Sequence, residues 1–223
     1  MRPTDRPARV TAPIMLLGGV LAAVVAARRV QQTWGATAEE VRGGLPGDDV
    51  LGAADLMATR AVSIAAPPQD VWPWLAQLGQ GRGGFYSYDR LQSLLGLYID
   101  NADDVMPEWQ DIAPGDVVLL APEVELAVVL AEPGHALVLH GDPESGSRTA
   151  EIGMPFGFTW AFVLRPGPRG TTRLLVRERY TYVRPWARPL VELVQVASFV
   201  MTERMLRGIR DRAEARPPAQ PVA

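Results

Sequence analysis

Few residues of this chain could carry out chemistry, because it has no cysteine, no lysine and only two histidines. The absence of cysteine excludes thiolate metal sites and cysteine nucleophiles, and the absence of lysine excludes Schiff-base chemistry. His135 follows a Pro-Gly turn and His140 precedes Gly141, and neither has a second histidine at i+4 or a Gly-x-Ser-x-Gly motif beside it. We therefore expect no metal site, no cofactor and no catalytic triad.

The glycine-rich stretch GQGRGGFYSYD, residues 79–89, contains two tyrosines that could contact a ligand. The stretch matches neither the P-loop pattern nor a dinucleotide fingerprint between a strand and a helix, so nucleotide binding is not expected. Its glycines favour a tight turn instead. Tyr86 and Tyr88 then either direct their hydroxyls into a cavity or cover the core, and both interpretations stay open.

Glu108 and Trp109 follow a proline and precede the first of a series of strand-like segments. A lone carboxylate beside an apolar pocket could serve as a general acid or base. The alternative is a surface glutamate, which is favoured because charged side chains are mostly exposed.

Two strand-like segments provide the other candidates. Alternation predicts one interior face in the first segment, formed by Phe156, Phe158, Trp160, Phe162 and Leu164. Trp160 and Phe162 either line a cavity or fill it. In the second segment, parity separates Leu175, Arg177 and Arg179 from Leu174, Val176, Glu178 and Tyr180. Arg177 either lies on a solvated outer face, which is favoured, or turns inward to hold a ligand carboxylate or phosphate.

These residues need a scaffold, and 223 residues with 48% hydrophobic content are enough for one domain plus tails. Periodicity predicts a strand over 57–66, short helices from Pro67 and over 89–95, five antiparallel strands over 117–183, and a helix over 189–213. The polar residues in the first half of that helix are Glu192, Gln195, Ser198 and Thr202, which form a narrow stripe. We infer that most of the surface of this helix packs against the rest of the domain.

The amino terminus contains 17 uncharged residues, Thr11 to Ala27, with arginines on both sides. This length is at the lower limit for a transmembrane helix, so residues 1–29 are interpreted as a single-pass anchor in the cell membrane. A cleaved signal peptide and a buried helix are the alternatives. Flanking arginines are balanced, so the orientation of the segment in the membrane stays open.

Residues 30–54 are expected to be a linker, 55–213 the folded domain, and 214–223 a disordered tail.

Charge distribution excludes one class of partner. Residues 30–147 contain 18 acidic residues and only four arginines, whereas nucleic-acid binding requires a concentrated basic face. We therefore expect no nucleic-acid partner.

The element order and four phrases together resemble a known superfamily. The phrases are GRGGFYSYD (81–89), PEWQDIAPGD (107–116), FTWAFVLRP (158–166) and TTRLLVRERY (171–180). With them the chain is similar to SRPBCC proteins, the group of START, birch-pollen-allergen-like and polyketide cyclase/dehydrase-like proteins, and it looks like an actinobacterial membrane-anchored member. The resemblance implies an α+β helix-grip fold, in which a curved antiparallel sheet wraps around the long carboxy-terminal helix. It also implies a hydrophobic pocket between sheet and helix.

Three functions fit this frame. The first is binding of a hydrophobic or amphipathic small molecule, such as a lipid or polyketide-like compound, by a membrane-tethered carrier or sensor. The second is a cyclase/dehydrase-like enzyme in which Tyr86, Glu108 or Arg177 assists catalysis. The third is a protein-interaction domain with a filled core, which a cavity below about 300 Å³ would favour. The expected ligand-binding residues are Tyr86, Tyr88, Glu108, Trp109, Trp160, Phe162, Arg177 and Tyr180.

Overall fold

The computed structural model describes residues 8–88, 99–142 and 153–215, with the backbone alone for residues 8–17. The helices are α1 (Ala8–Thr33), α2 (Ala38–Arg42), α3 (Pro68–Ala76) and α4 (Ala187–Ala215). The strands are β1 (Leu56–Ile64), β2 (Val117–Ala121), β3 (Val124–Glu132), β4 (Ala136–Gly141), β5 (Phe156–Pro166) and β6 (Thr172–Tyr182).

The six strands form one antiparallel sheet in the order β1-β6-β5-β4-β3-β2. Strands β2 to β6 form a meander, and β1 pairs with β6 at the far edge. Short connections join β2 to β3, β3 to β4, and β5 to β6. Gly134 has a φ of +73° and lies between β3 and β4, where the amide of His135 donates to the carbonyl of Glu132. This topology with a long carboxy-terminal helix confirms the predicted α+β helix-grip arrangement. The second expected short helix, residues 89–95, lies outside the described residues.

The main core lies between the inner face of the sheet, α3 and α4. All five β5 residues that alternation assigned to the interior belong to it: Phe156, Phe158, Trp160, Phe162 and Leu164. Helix α3 begins with prolines, whose missing amide is tolerated in a first turn. It buries Val71, Trp74 and Leu75 against this core. The interior face predicted for β5 is therefore confirmed.

A second layer covers the outer face of the sheet. Residues 30–54, expected as a linker, include the end of α1, helix α2 and a turn that packs on the strands. Leu45 is buried there in a small core with Ala61, Ala136, Val163 and Leu175. Gly47 has a φ of +87°, and an added Cβ would lie 2.6 Å from Val138. The turn therefore approaches β4 more closely than any residue with a side chain would allow.

Arg177 is an anchor of this outer layer. Its side chain is only 2% exposed and forms an ion pair with Asp48 at 2.6 Å. Its guanidinium also donates to the carbonyls of Glu40, Val41 and Gly43, and to the hydroxyl of Thr59. Arg177 thus lies on the outer face, as the parity of β6 indicates, but it is covered by α2 and the following turn. The favoured interpretation had Arg177 on this outer face but solvated, whereas the structure buries it, and its donors bind the outer layer and not the cavity.

Helix α1 packs on β1 and α4 through its carboxy-terminal turns, while Val20, Leu21, Val24 and Val25 are exposed. Over the described part of the chain, the apolar stretch of every helix is too short or too polar to span a lipid bilayer.

Replacing Arg177 by alanine should lower the free energy of unfolding by about 3 kcal/mol or more, because Asp48 loses its closest counter-charge and three carbonyls lose the donors that Arg177 supplies. Urea denaturation of the full chain measures this difference. Arg165→Ala, at an exposed position on β5, is the matched control and should change stability by less than about 0.5 kcal/mol. A stable Arg177→Ala variant would show that the outer layer is held by its other contacts, which include those of Arg173 and Arg179.

Glu40 makes the outer layer sensitive to acid. Hydrogen bonds from Arg173 to its carboxylate lower the pKa of Glu40 to about 2, from 4.5 in the absence of interactions. A depressed pKa stabilises the fold above pH 4.5, and this contribution is lost as the pH falls through 2. Wild type should therefore be more stable than Glu40→Gln at pH 6, with the difference disappearing towards pH 2. Denaturation midpoints across this range test the prediction, and a pH-independent difference would contradict it.

Candidate functional site

A cavity of about 340 Å³ lies between the inner face of the sheet and the first half of α4. Its sheet side comes from β2, β5 and β6, and its remaining wall comes from α4 and from the segment before Tyr88. The lining residues are mostly apolar: Phe85, Leu120, Ala121, Phe158, Trp160, Val194, Ala197, Met201 and Met205. Its polar residues are Ser87, Glu178, Tyr180, Ser198 and Thr202. The arrangement is an apolar pocket with one charged group.

That charged group is Glu178 of β6, whose side chain is only 2% exposed. The alternation of β6 places it on the inner face between Val176 and Tyr180. The carboxylate accepts hydrogen bonds from three side chains of α4, from one side chain of the edge strand β1 and from one of β6 itself. The donors are Arg60 Nη1 at 2.6 Å, Ser198 Oγ at 2.7 and 2.8 Å, Gln195 Nε2 at 3.0 Å, Thr202 Oγ1 at 3.0 Å and Tyr180 OH at 3.2 Å.

Arg60 of β1 is the counter-charge of Glu178 and lies on the side of the carboxylate that is away from the cavity. Its other nitrogens donate to the carbonyl of Gln31 at 2.9 Å and to Oε1 of Gln195 at 3.2 Å. Arg60 is 1% exposed and does not line the cavity. The carboxylate therefore faces the cavity, and its counter-charge lies outside the lining.

Three hydroxyls lie beside Glu178 at the wall of the cavity. Each hydroxyl of Ser198, Thr202 and Tyr180 has a single proton, and the geometry directs that proton to the carboxylate. Burial raises the pKa of Tyr180 well above 10, and the negative charge of Glu178 raises it further, so the phenol stays protonated. The hydroxyl oxygens keep their lone pairs. The polar end of the cavity consequently presents acceptors.

Aromatic rings form the wall opposite the helix. Trp160 is the cross-strand partner of Glu178, and its ring lies 5.8 Å from Phe85. Phe158 packs on Tyr180 with ring centroids 4.9 Å apart. The indole Nε1 of Trp160 is buried and has no hydrogen-bond partner within the described ranges. These contacts give a rigid, flat surface beside the polar end.

The structure brings two of the predicted site residues into the cavity, Trp160 and Tyr180. Phe162 is fully buried in the core, with its ring centroid 4.8 Å from that of Trp160. Tyr86 is buried outside the lining, where its hydroxyl donates to the carbonyl of Trp74 at 3.2 Å. Tyr88 is exposed beneath the guanidinium of Arg204.

Glu108 and Trp109 line a second, smaller cleft of about 270 Å³. Arg82 stacks over the Trp109 ring at 4.7 Å and separates this cleft from the core. Together with Arg177 on the outer face, Glu108 and Tyr86 thus occupy three different places. The three groups expected to assist catalysis are not brought together. In the described part of the chain, His, Asp and Glu side chains form no cluster of three that could hold a metal ion.

Sequence reasoning did not select the residues at the centre of this site. Glu178 was assigned to the same face as Tyr180 by parity, and Gln195, Ser198 and Thr202 were recognised as a stripe. Read together, an acid on an inner strand face and three donors spaced at three and four residues could have indicated a buried polar contact. Arg60 had no such signal, because its partner depends on the register between β1 and β6.

No family model matches the chain, and no curated protein does so either. Solved structures do resemble it. Norcoclaurine synthase from Thalictrum flavum aligns over 78% of this chain and 95% of its own, with 11% identity and a TM-score of 0.45. A protein from Nitrosospira multiformis aligns over 72% and 97%, with 14% identity and a TM-score of 0.44.

The Arg60–Glu178 pair should show strong thermodynamic coupling. Removing either partner alone, as in Arg60→Met or Glu178→Leu, leaves a buried charge and should lower the free energy of unfolding by about 3–5 kcal/mol. The double variant leaves no unpaired charge, so its loss should be far smaller than the sum. Urea denaturation of all four proteins measures the coupling, and additive losses would refute a direct interaction.

Proposed function

We propose that this protein binds a hydrophobic or amphipathic small molecule in the cavity between the sheet and α4. The observation that carries the proposal is an apolar cavity of about 340 Å³ with one polar end. Small-molecule sites are about 300–1,000 Å³, mostly apolar, with a few convergent polar groups. The volume speaks against the filled-core interaction domain, for which we expected less than about 300 Å³.

The polar end favours a particular head group. Ser198, Thr202 and Tyr180 offer acceptors, and behind them lies a negative charge. A ligand hydroxyl or ammonium group can donate to these oxygens. A ligand carboxylate or phosphate would face Glu178 at short range, and like charges in a poorly solvated cavity repel strongly. We therefore propose a ligand with an apolar body and a hydrogen-bond donor head, in preference to a free fatty acid.

The protein acts as a carrier or sensor tethered to the cell membrane in this proposal. Support comes from the 17 uncharged residues of α1 and from the exposure of its valines and leucine. Arg28 at the end of this stretch forms a bidentate ion pair with Glu192 of α4, one of its bonds being 2.6 Å. This contact fixes the direction in which α1 leaves the folded domain.

A cyclase/dehydrase-like enzyme is the second candidate, and Glu178 is the group that favours it. A carboxylate at the end of an apolar cavity could accept a proton from a bound substrate. Its lone pairs are already engaged by five side chains, so a substrate donor would have to displace a hydroxyl first. Binding of a ligand without a reaction requires no such displacement, and it is therefore the preferred function. Consumption of a bound compound by the full chain would reverse this preference.

Three probes of equal chain length test the proposed head group: 1-dodecanol, dodecylamine and dodecanoic acid. Native mass spectrometry of the full chain should detect complexes with the alcohol and the amine. The acid should bind at least about tenfold more weakly at neutral pH, since 1.4 kcal/mol of repulsion suffices for that factor. Equal binding of all three would contradict the assigned polarity, and binding of none would contradict the carrier function.

A filled cavity should abolish this binding. Ala197 lines the cavity, so Ala197→Trp should lower the affinity for 1-dodecanol by about tenfold or more by occupying its space. Val200→Trp on the same helix is the matched control, because Val200 is exposed and does not line the cavity. Loss of binding in both variants would point to a general effect on α4.

A further inference from the structure

The outer face of α4 changes its chemical character along the helix. In the first half, Leu190, Leu193, Val196 and Val200 share that face and are exposed, Leu193 to 71%. In the second half, the same face continues with Arg204, Arg207 and Asp211. Trp186, directly before the helix, is 56% exposed. The boundary between the apolar and the charged part lies between Val200 and Arg204.

The inner face of the same helix changes in the opposite sense. In the first half it carries Gln195, Ser198 and Thr202, which bind Glu178. In the second half it carries buried apolar residues such as Met205 and Ile209. An ordinary surface helix has its apolar stripe inside and its polar stripe outside. The first half of α4 is therefore inside-out in part. Its inner face combines these polar residues with the cavity-lining Val194, Ala197 and Met201, while its outer face is apolar, which contact with water does not account for.

Helix α1 brings a second apolar surface to the same region. Val20, Leu21, Val24, Val25 and Val30 are all exposed. The Arg28–Glu192 ion pair joins α1 to the inside-out part of α4. Most of the large apolar side chains that are exposed in the described ranges lie on these two stretches or on Val183 beside them. Contiguous exposed apolar surface of this kind marks an interaction site.

The charges beside this surface indicate which partner covers it. Arg28, Arg29, Arg184 and Arg188 are exposed at its edge. Arginines next to exposed apolar side chains favour contact with a lipid bilayer, whose head groups can be anionic and whose interior is hydrocarbon. Trp186 between them is the residue type that prefers the interface of a bilayer. These four arginines outnumber the two acids beside them, Asp55 and Glu192, so the edge of the surface carries a net positive charge that favours anionic head groups.

We propose that the outer face of the first half of α4, together with Trp186, lies on an anionic lipid surface and exchanges the ligand with it. The cavity wall supports this, since Val194, Ala197 and Met201 of the same turns line the cavity. An apolar ligand would pass between bilayer and cavity without crossing water. The exchange part of the proposal rests on the proposed ligand binding, whereas the lipid contact does not.

Fluorescence quenching tests the lipid contact. The full chain is reconstituted into vesicles of phosphatidylcholine and phosphatidylglycerol in which one acyl chain is brominated. The difference in emission between wild type and Trp186→Phe gives the contribution of Trp186. The brominated lipid should quench this contribution. Leu193→Glu/Val196→Glu should restore most of that emission, because each charge costs about 2.5–3.5 kcal/mol in hydrocarbon. Val50→Glu, an exposed residue of the outer layer, is the control and should leave the quenching unchanged.

Transfer of a fluorescent fatty alcohol from these vesicles to the protein tests the exchange. Leu193→Glu/Val196→Glu should slow the transfer by about tenfold or more, while its affinity for 1-dodecanol in solution stays that of wild type. Unquenched Trp186 in wild type would overturn the lipid contact, and a doubled mass in solution would assign the surface to a second copy. Quenching without any 1-dodecanol binding would leave the lipid contact supported and refute the cavity ligand instead.

Discussion

The ion pair between Arg60 and Glu178 determines how the parts of this protein fit together. Arg60 belongs to the edge strand β1 and Glu178 to its neighbour β6, and the pair is almost completely buried. The remaining donors of Arg60 bind α1 through Gln31 and α4 through Gln195. A buried charge is costly unless all its hydrogen-bonding capacity is used. Four elements must therefore meet at one point, and the geometry of the cavity follows from that requirement.

The same requirement explains the reversed polarity of α4. Glu178 needs donors from the helix that faces it, so the inner surface of two helical turns carries an amide and two hydroxyls. The apolar residues of these turns are divided between the cavity, which is lined by Val194, Ala197 and Met201, and the outer surface, where Leu193 and Val196 are exposed. Once the polar contact ends, Met205 and Leu206 return to the interior and arginines to the exterior. One carboxylate on the sheet thus accounts for both the polar end of the cavity and the apolar patch outside it.

Much of this fold was accessible from local patterns, whereas the centre of the site was not. Alternation placed Phe156 to Leu164 correctly, and parity in β6 separated Glu178 and Tyr180 from Arg177. The stripe on α4 was also visible, but a polar stripe is ordinarily the solvent-facing one, and here three of its four members face inward. The local patterns do not give the register between β1 and β6. Arg60 reaches Glu178 because Ala58 pairs with Glu178 across the two strands, which places Arg60 diagonally to it. No local pattern carries that information.

The placement of Arg177 follows from the same physics on the opposite face of the sheet. A sheet whose two faces are both covered should have apolar residues on both, yet β6 presents Arg177 and Arg179 outward. The covering segment is too short to provide a large apolar layer, and Leu45 is the only one of its residues in the outer core. Its backbone carbonyls instead need donors, because irregular chain packed on a sheet cannot pair them internally. Arg177 supplies several donors from one side chain and holds α2 and the turn in place. Two arginines on one strand pair, Arg60 inside and Arg177 outside, thus attach the amino-terminal region to both faces of the sheet.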